Sequence, residues 1–134
     1  MRVNPYLHFK GNCSEALAFY EEAFGVKGEI SGRYKDAPSS EGYQAPPEMA
    51  DWIMHAQFTL GDTVVMLSDG PTEGEYAYNG FSISVTFDSV EDAKAVFEKF
   101  REGGIVEQEL AETFWSKAWG MVTDKFGVNW QFTV

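Results

Sequence analysis

Three scarcities bound what this chain can do. It holds one cysteine, Cys13, two histidines, His8 and His55, and ten Lys and Arg against 21 Asp and Glu. A lone cysteine forms no internal disulfide, so a reducing compartment, the cytoplasm, is expected. Two imidazoles exclude any mechanism that draws three from one chain. The formal net charge of −11 repels a duplex or an anionic membrane. Neither nucleic acid nor a membrane is therefore an expected partner. No run approaches the roughly 20 apolar residues of a membrane span. Residues 1–5 also lack the apolar stretch of a signal peptide.

What is present suits one globular domain, residues 1–134. The mass is 15.0 kDa, with 44% hydrophobic and 16% aromatic residues. A chain of this length buries about two thirds of its unfolded surface and needs no staple.

An internal repeat organises it. Phe9 precedes Phe19 by ten positions and Gly25 by sixteen; Phe87 precedes Phe97 and Gly103 by the same intervals. Each block reads as an apolar strand end, a polar cap, an amphipathic helix and a glycine stop. In the first helix, Asn12 and Glu15 have capping-box spacing, Ala16, Phe19, Tyr20 and Phe24 form the apolar stripe, and Gly25 closes it. In the second, Ser89 caps with Asp92 at the third position. Its stripe is Ala93, Val96, Phe97 and Phe100, and Gly103-Gly104 ends it.

Strands are expected at 3–9, 26–34, 80–87 and 105–110. Two hairpins follow from alternation and turn residues. One runs from His55 to Leu60, turns at Gly61-Asp62 and returns from Thr63 to Ser68. The other runs from Trp119 to Thr123, turns through Asp124 to Gly127 and returns from Val128 to Val134. Each half is thus βαβββ, in modules of about 1–70 and 79–134. The hairpin glycines Gly61 and Gly127 lie 66 apart while the helix blocks lie 78 apart. The first half therefore carries an insertion of about a dozen residues. It is the proline-rich stretch within 35–52, whose role as a lid or as a solvent loop stays open. A second loop, 69–75, joins the halves.

The chain resembles the vicinal oxygen chelate superfamily of glyoxalases, bleomycin-resistance proteins and dioxygenases, and within it the PhnB-like branch. The likeness rests on Pro5-Tyr6-Leu7-His8-Phe9 with Gly11-Asn12-Cys13, on Ala16 to Tyr20 and Ala23-Phe24-Gly25, on Thr113-Phe114-Trp115, and on Gly120 to Trp130. It implies an α+β fold in which two βαβββ repeats form paired half-barrel sheets with helices on the outer face. It also implies a homodimer and a ligand cleft on the sheet faces. By strand alternation, Phe9, Phe58, Leu60, Val65, Leu67, Ile83, Val85, Phe87 and Trp130 face the helices. Asn4, Tyr6, His8, His55, Gln57, Met66, Ser68, Ser82, Ser84, Asn129 and Gln131 face the cleft.

Metal-dependent relatives take His, Glu or Gln ligands from places that fall here at about Asn4, with His8 as a substitute, and at Met66, Ser82 and Gln131. Met66 is a poor ligand for a hard divalent ion and Ser82 a weak one. A divalent metal is thus disfavoured, and no cofactor is expected. The expected ligand-binding residues are Tyr6, His8, His55, Gln57, Ser82, Trp115 and Gln131, around an unidentified small molecule. The histidines can bind an anion or exchange protons, against the plainer role of pocket-wall hydrogen bonding. Trp115, Trp119, Trp52, Tyr6 and Tyr76 or Tyr78 are candidates for an aromatic wall, against core or dimer contacts. Cys13 reads as structural and Asp124 as a turn organiser. Two alternatives stand beside this reading: a metal-dependent glyoxalase, dioxygenase or fosfomycin-type enzyme, and a drug-sequestering protein whose acidic cleft takes up a cation.

Overall fold

The computed structural model describes residues 1–38, 45–70 and 74–134. Two parts of the expected loops, 39–44 of the insertion and 71–73 of the joining segment, lie outside the described residues. The chain divides into two compact units, Met1–Tyr76 and Ala77–Val134. The first runs β1 (Tyr6–Phe9), α1 (Cys13–Phe24), β2 (Glu29–Arg33), β3 (Ile53–Leu60) and β4 (Thr63–Asp69). The second runs β5 (Ile83–Thr86), α2 (Val90–Arg101), β6 (Ile105–Ala111), β7 (Trp119–Thr123) and β8 (Asn129–Thr133). Both are βαβββ units of the α+β class.

The sheets have the same order, β1-β4-β3-β2 and β5-β8-β7-β6. In each, the first strand pairs parallel with the last, Tyr6 opposite Met66 and Ile83 opposite Trp130. The other pairings are antiparallel. Nineteen residues separate β2 from β3 and seven separate β6 from β7, a difference of twelve. That difference is the insertion. Its two ends are tied to one another: Tyr34 N–H donates to the Trp52 carbonyl at 3.0 Å and Lys35 N–H to that of Ala50 at 2.9 Å. The Lys35 ammonium also meets Asp51 at 2.8 Å.

Each helix covers one face of its own sheet. Cys13, Ala16, Leu17, Tyr20 and Ala23 of α1 are buried, with Leu7, Phe9, Ala56, Phe58, Val65 and Leu67 buried in the strands. Ala93, Phe97 and Phe100 of α2 are buried; Phe100 meets Trp130 and Phe132 edge-on, each at 5.3 Å. The expected stripe of α1 needs correction. Phe19 and Phe24 are only half-buried, and Leu17 and Ala23 take the inner positions.

The caps differ from expectation in one case. Ser89 Oγ accepts the Asp92 N–H at 3.1 Å, as its spacing requires. Asn12 makes no side-chain bond to α1; its amide oxygen accepts the Lys10 N–H instead. The Cys13 N–H goes to Asp69 Oδ1 at 3.1 Å. Gly25 takes a left-handed conformation and closes α1 as expected.

Candidate functional site

With one face of each sheet under a helix, the side chains of alternate residues stand on the other. In the first unit this open face carries Tyr6 and His8 of β1, His55 and Gln57 of β3, and Met66 and Ser68 of β4. The register puts Tyr6 beside Met66 and His8 beside Ser68, with Gln57 opposite Met66. Tyr6 and His55 share a hydrogen bond, hydroxyl to Nδ1, of 3.3 Å. His8 Nδ1 and Ser68 Oγ share one of 3.1 Å. The Tyr6 and His8 rings stand 4.6 Å apart at a 31° tilt. His55 meets Tyr6 edge-on at 5.7 Å. Tyr76 lies 6.1 Å from His8, and the Lys10 ammonium sits 5.7 Å above the Tyr76 ring.

The second unit shows a different open face. A concavity of about 650 Å³ is lined by aromatic and polar side chains, among them Tyr78, Phe81, Ser82, Glu107, Met121 and Asn129. The Glu107 carboxylate accepts the Thr123 hydroxyl at 2.9 Å, and the Asn129 amide donates to the same Thr123 oxygen at 3.1 Å. Ser82, one residue ahead of β5, is in this lining. Gln131 stands beside Met121 and Ser84 in the register but is outside the lining, as is Trp115. Trp115 is 57% exposed beside the still more exposed Phe114, with ring contacts at 4.7 Å to Phe114 and 5.7 Å to Trp119.

Within the first unit, Tyr6, His8, His55 and Gln57 share one face; within the second, Ser82 lines the concavity, Gln131 stands beside Met121, and Trp115 lies in an exposed aromatic patch. Trp52 has a packing role of its own. Its ring lies across Gly11, where any Cβ would come within 3.0 Å of it.

One residue of consequence was missed. Asp69, expected in the joining loop, is the last residue of β4 and only 1% exposed. Its Oδ1 accepts N–H groups from Gly11 at 2.7 Å and Cys13 at 3.1 Å. Its Oδ2 accepts that of Ile53 at 2.9 Å. This one carboxylate ties the β1–α1 turn to the starts of α1 and β3. Its only sequence signal was its place at the end of an alternating strand. The second unit also has a buried carboxylate, Asp124, in the β7–β8 turn and not at a strand end, with Oδ1 accepting from Phe126 and Val128 and Oδ2 from the Trp130 indole. It organises its turn, as expected. Burial pushes the Cys13 thiol far above its ordinary value, and the Asp69 charge adds to this. A thiol so held is no nucleophile at neutral pH.

The places expected to hold a metal do not suit one. The Asn4 amide donates to the Val64 carbonyl at 2.9 Å. Met66 offers a soft thioether, Ser82 and Gln131 only a neutral hydroxyl and amide, and His8, the substitute on β1, shares its Nδ1 with Ser68; with no carboxylate among them, these are weak donors for a hard divalent ion. Among the described residues, no three His, Cys, Asp or Glu side chains gather as a ligand set. No described helix is long and apolar enough to cross a membrane.

Residues 2–132 match the model of the glyoxalase/bleomycin resistance protein/dioxygenase superfamily. Protein YjdN of Escherichia coli is 34% identical to the chain, over all of it and 95% of the relative. The crystal structure of protein PA1353 from Pseudomonas aeruginosa is 36% identical with a TM-score of 0.86, over 99% of this chain and 96% of that one. A PhnB protein of Bacillus cereus, titled a putative 3-demethylubiquinone-9 3-methyltransferase, is 28% identical with a TM-score of 0.79, over 99% and 98%.

Proposed function

The chain belongs to the glyoxalase/bleomycin resistance protein/dioxygenase superfamily, in its PhnB-like branch, and from that premise we propose that it binds a small organic molecule without the metal of its metal-dependent relatives. The concavity of about 650 Å³ carries the reading. Small-molecule sites usually span roughly 300–1,000 Å³ and combine apolar walls with a few polar groups. Tyr78 and Phe81 supply the wall here, and Ser82, Glu107 and Asn129 the polar groups. Gln131, two residues beyond Asn129 on β8, extends that polar face. The open face of Tyr6, His8, His55 and Gln57 offers further hydrogen-bonding groups in the first unit.

Methyl transfer is not part of the proposal. The β1–α1 turn, where a methyl donor's charged groups would need free backbone N–H groups, has those of Gly11 and Cys13 bonded to Asp69. A cytoplasmic homodimer is part of it, supported by the exposed aromatic patch of Phe114 and Trp115. Sedimentation velocity of the wild type and of a Phe114→Ser, Trp115→Ser double variant tests the dimer; a wild-type monomer overturns it.

Thermal-shift screening against a metabolite library, with native mass spectrometry for co-purified ligand, tests the binding. A hit is expected to raise Tm and to lose about tenfold in affinity in Phe81→Ala, the loss of one well-packed contact of about 1.4 kcal/mol. Hits unaffected by Phe81→Ala would remove the concavity as the site. A stoichiometric divalent metal in protein purified without chelator would overturn the metal-free reading. Glu107 favours a second reading, sequestration of a cationic drug, because it lines the same concavity as Tyr78 and Phe81, a carboxylate and aromatic rings both being able to attract a cation. A resistance assay in a sensitive host, comparing wild type with Glu107→Gln, decides it.

A further inference from the structure

We infer that the open face of the first sheet, at Tyr6, His8, His55 and Ser68, is a binding site for the carboxylate group of a small planar acid. The inference deepens the small-molecule reading and rests on it for the existence of a ligand. Its geometry is confined to the first unit.

The four side chains share one property. Tyr6 and Ser68 carry hydroxyls, and each imidazole can present an N–H, so all can donate to an anion. They also converge. Tyr6 bonds His55 and packs on His8, and His8 bonds Ser68. These pairings are hydroxyl–imidazole bonds in which either partner can turn its proton outward. An arriving carboxylate, which only accepts, exchanges a neutral bond for a stronger charge-assisted one. Tyr6 is 42% exposed and Ser68 only 5%, so the face is open to solvent at Tyr6 while Ser68 is buried, and an aromatic acid can lie against the tilted Tyr6 and His8 rings.

The charge around this face is the second observation. The chain carries −11 overall, and three acids lie near this face in sequence or register: Asp69, Glu29 and Glu75. Asp69, next to Ser68, directs its carboxylate to the N–H groups of Gly11, Cys13 and Ile53. Glu29 shares the open face through its pairing with Gln57. It stands on β2, beside the β3 strand that carries His55 and at the opposite edge of the sheet from Tyr6, about 14 Å from Tyr6 at the usual strand spacing. Glu75 is exposed beside Tyr76. The cation at hand is Lys10, above the Tyr76 ring that flanks His8. A ligand carboxylate would therefore meet donors and an ammonium in a molecule that elsewhere repels it.

The two-histidine composition gives a clean readout. In ¹⁵N-labelled protein, the imidazole nitrogens are followed while benzoate, benzamide and benzylammonium are titrated separately to millimolar levels. Benzoate is expected to shift the ring nitrogens of both His8 and His55, and the neutral and cationic analogues to leave them in place. Tyr6→Phe and His55→Gln are each expected to weaken benzoate about tenfold, with an otherwise wild-type amide spectrum confirming the fold. Imidazoles unmoved by benzoate, or moved equally by benzamide, overturn the inference. So does a benzoate affinity that survives both substitutions. A ligand that depends on Phe81 while both imidazoles stay silent would leave the concavity standing and remove this site alone.

Discussion

The two units repeat one topology and wire it differently. In the first, the buried carboxylate Asp69 collects N–H groups from residues 58, 56 and 16 positions away in sequence. In the second, Asp124 collects its own from two, four and six positions away. The open faces diverge as well: tyrosine, imidazole and serine hydrogen bonds on one sheet, a carboxylate bonded to a threonine hydroxyl in a partly aromatic concavity on the other. The repeat specifies strand order and which face a helix covers, because alternation and helical spacing are shared. It leaves the polar groups free to vary, and binding chemistry is built from those groups.

The sharpest way to break the comparison is to remove the two carboxylates in turn. Asp69→Ala orphans two buried N–H groups, of Cys13 and Ile53, and the part-buried one of Gly11, and each unsatisfied buried donor costs about 1–3 kcal/mol. A loss of roughly 3–5 kcal/mol is expected in urea unfolding, enough to leave little folded protein. Asp124→Ala is expected to cost about half as much, because its two turn N–H groups can find water once the local loop relaxes and the buried Trp130 indole alone loses its acceptor. Equal losses would show that sequence separation of the partners does not matter. In Asp69→Ala, the Cys13 thiol is also expected to become reactive toward iodoacetamide in native buffer, whereas the wild-type thiol reacts only after unfolding.

A smaller effect separates two glycines. A Cβ at Gly104, between α2 and β6, would meet the carbonyls of Phe100 and Thr123 at 2.5 Å. Both are backbone atoms, so Gly104→Ala must shift a strand or a helix end, at about 1–3 kcal/mol. Gly32 of β2 has open space around its Cβ position. Gly32→Ala is expected to be neutral or stabilising by a few tenths of a kcal/mol, since glycine is costly in a strand interior. Thermal unfolding of the two variants side by side checks the contrast.

Much of this was legible in advance. The offset shared by Phe9 with Gly25 and Phe87 with Gly103 marked the repeat, since a strand, a helix and a stop must recur together. Alternation placed Leu67 and Trp130 under the helices, and Tyr6 and His8 away from them, because a strand's side chains have only two sides. Asp124 was readable because its partners are its own turn. Asp69 was not, because its donors come from segments that only the fold brings together. Trp115 was placed no better, since it sits in a loop that has no periodicity to orient its ring. Asn12 misled through spacing alone: a capping-box pattern names a residue able to cap but cannot show that another oxygen has taken the N–H.

That last point gives the smallest and most discriminating prediction. Ser89 caps α2 through its own hydroxyl, so Ser89→Ala should cost about 1 kcal/mol, the usual value of an N-cap side chain. At α1 the same position is Asn12, whose side chain bonds Lys10 N–H and not the helix. Asn12→Ala should therefore cost only a few tenths of a kcal/mol, below what a capping asparagine contributes. Paired chemical-denaturation curves resolve the difference if the slopes agree, because only the midpoints then move. If Asn12→Ala costs as much as Ser89→Ala, the cap of α1 is shared between Asn12 and Asp69, and the two helices begin more alike than their hydrogen bonds indicate.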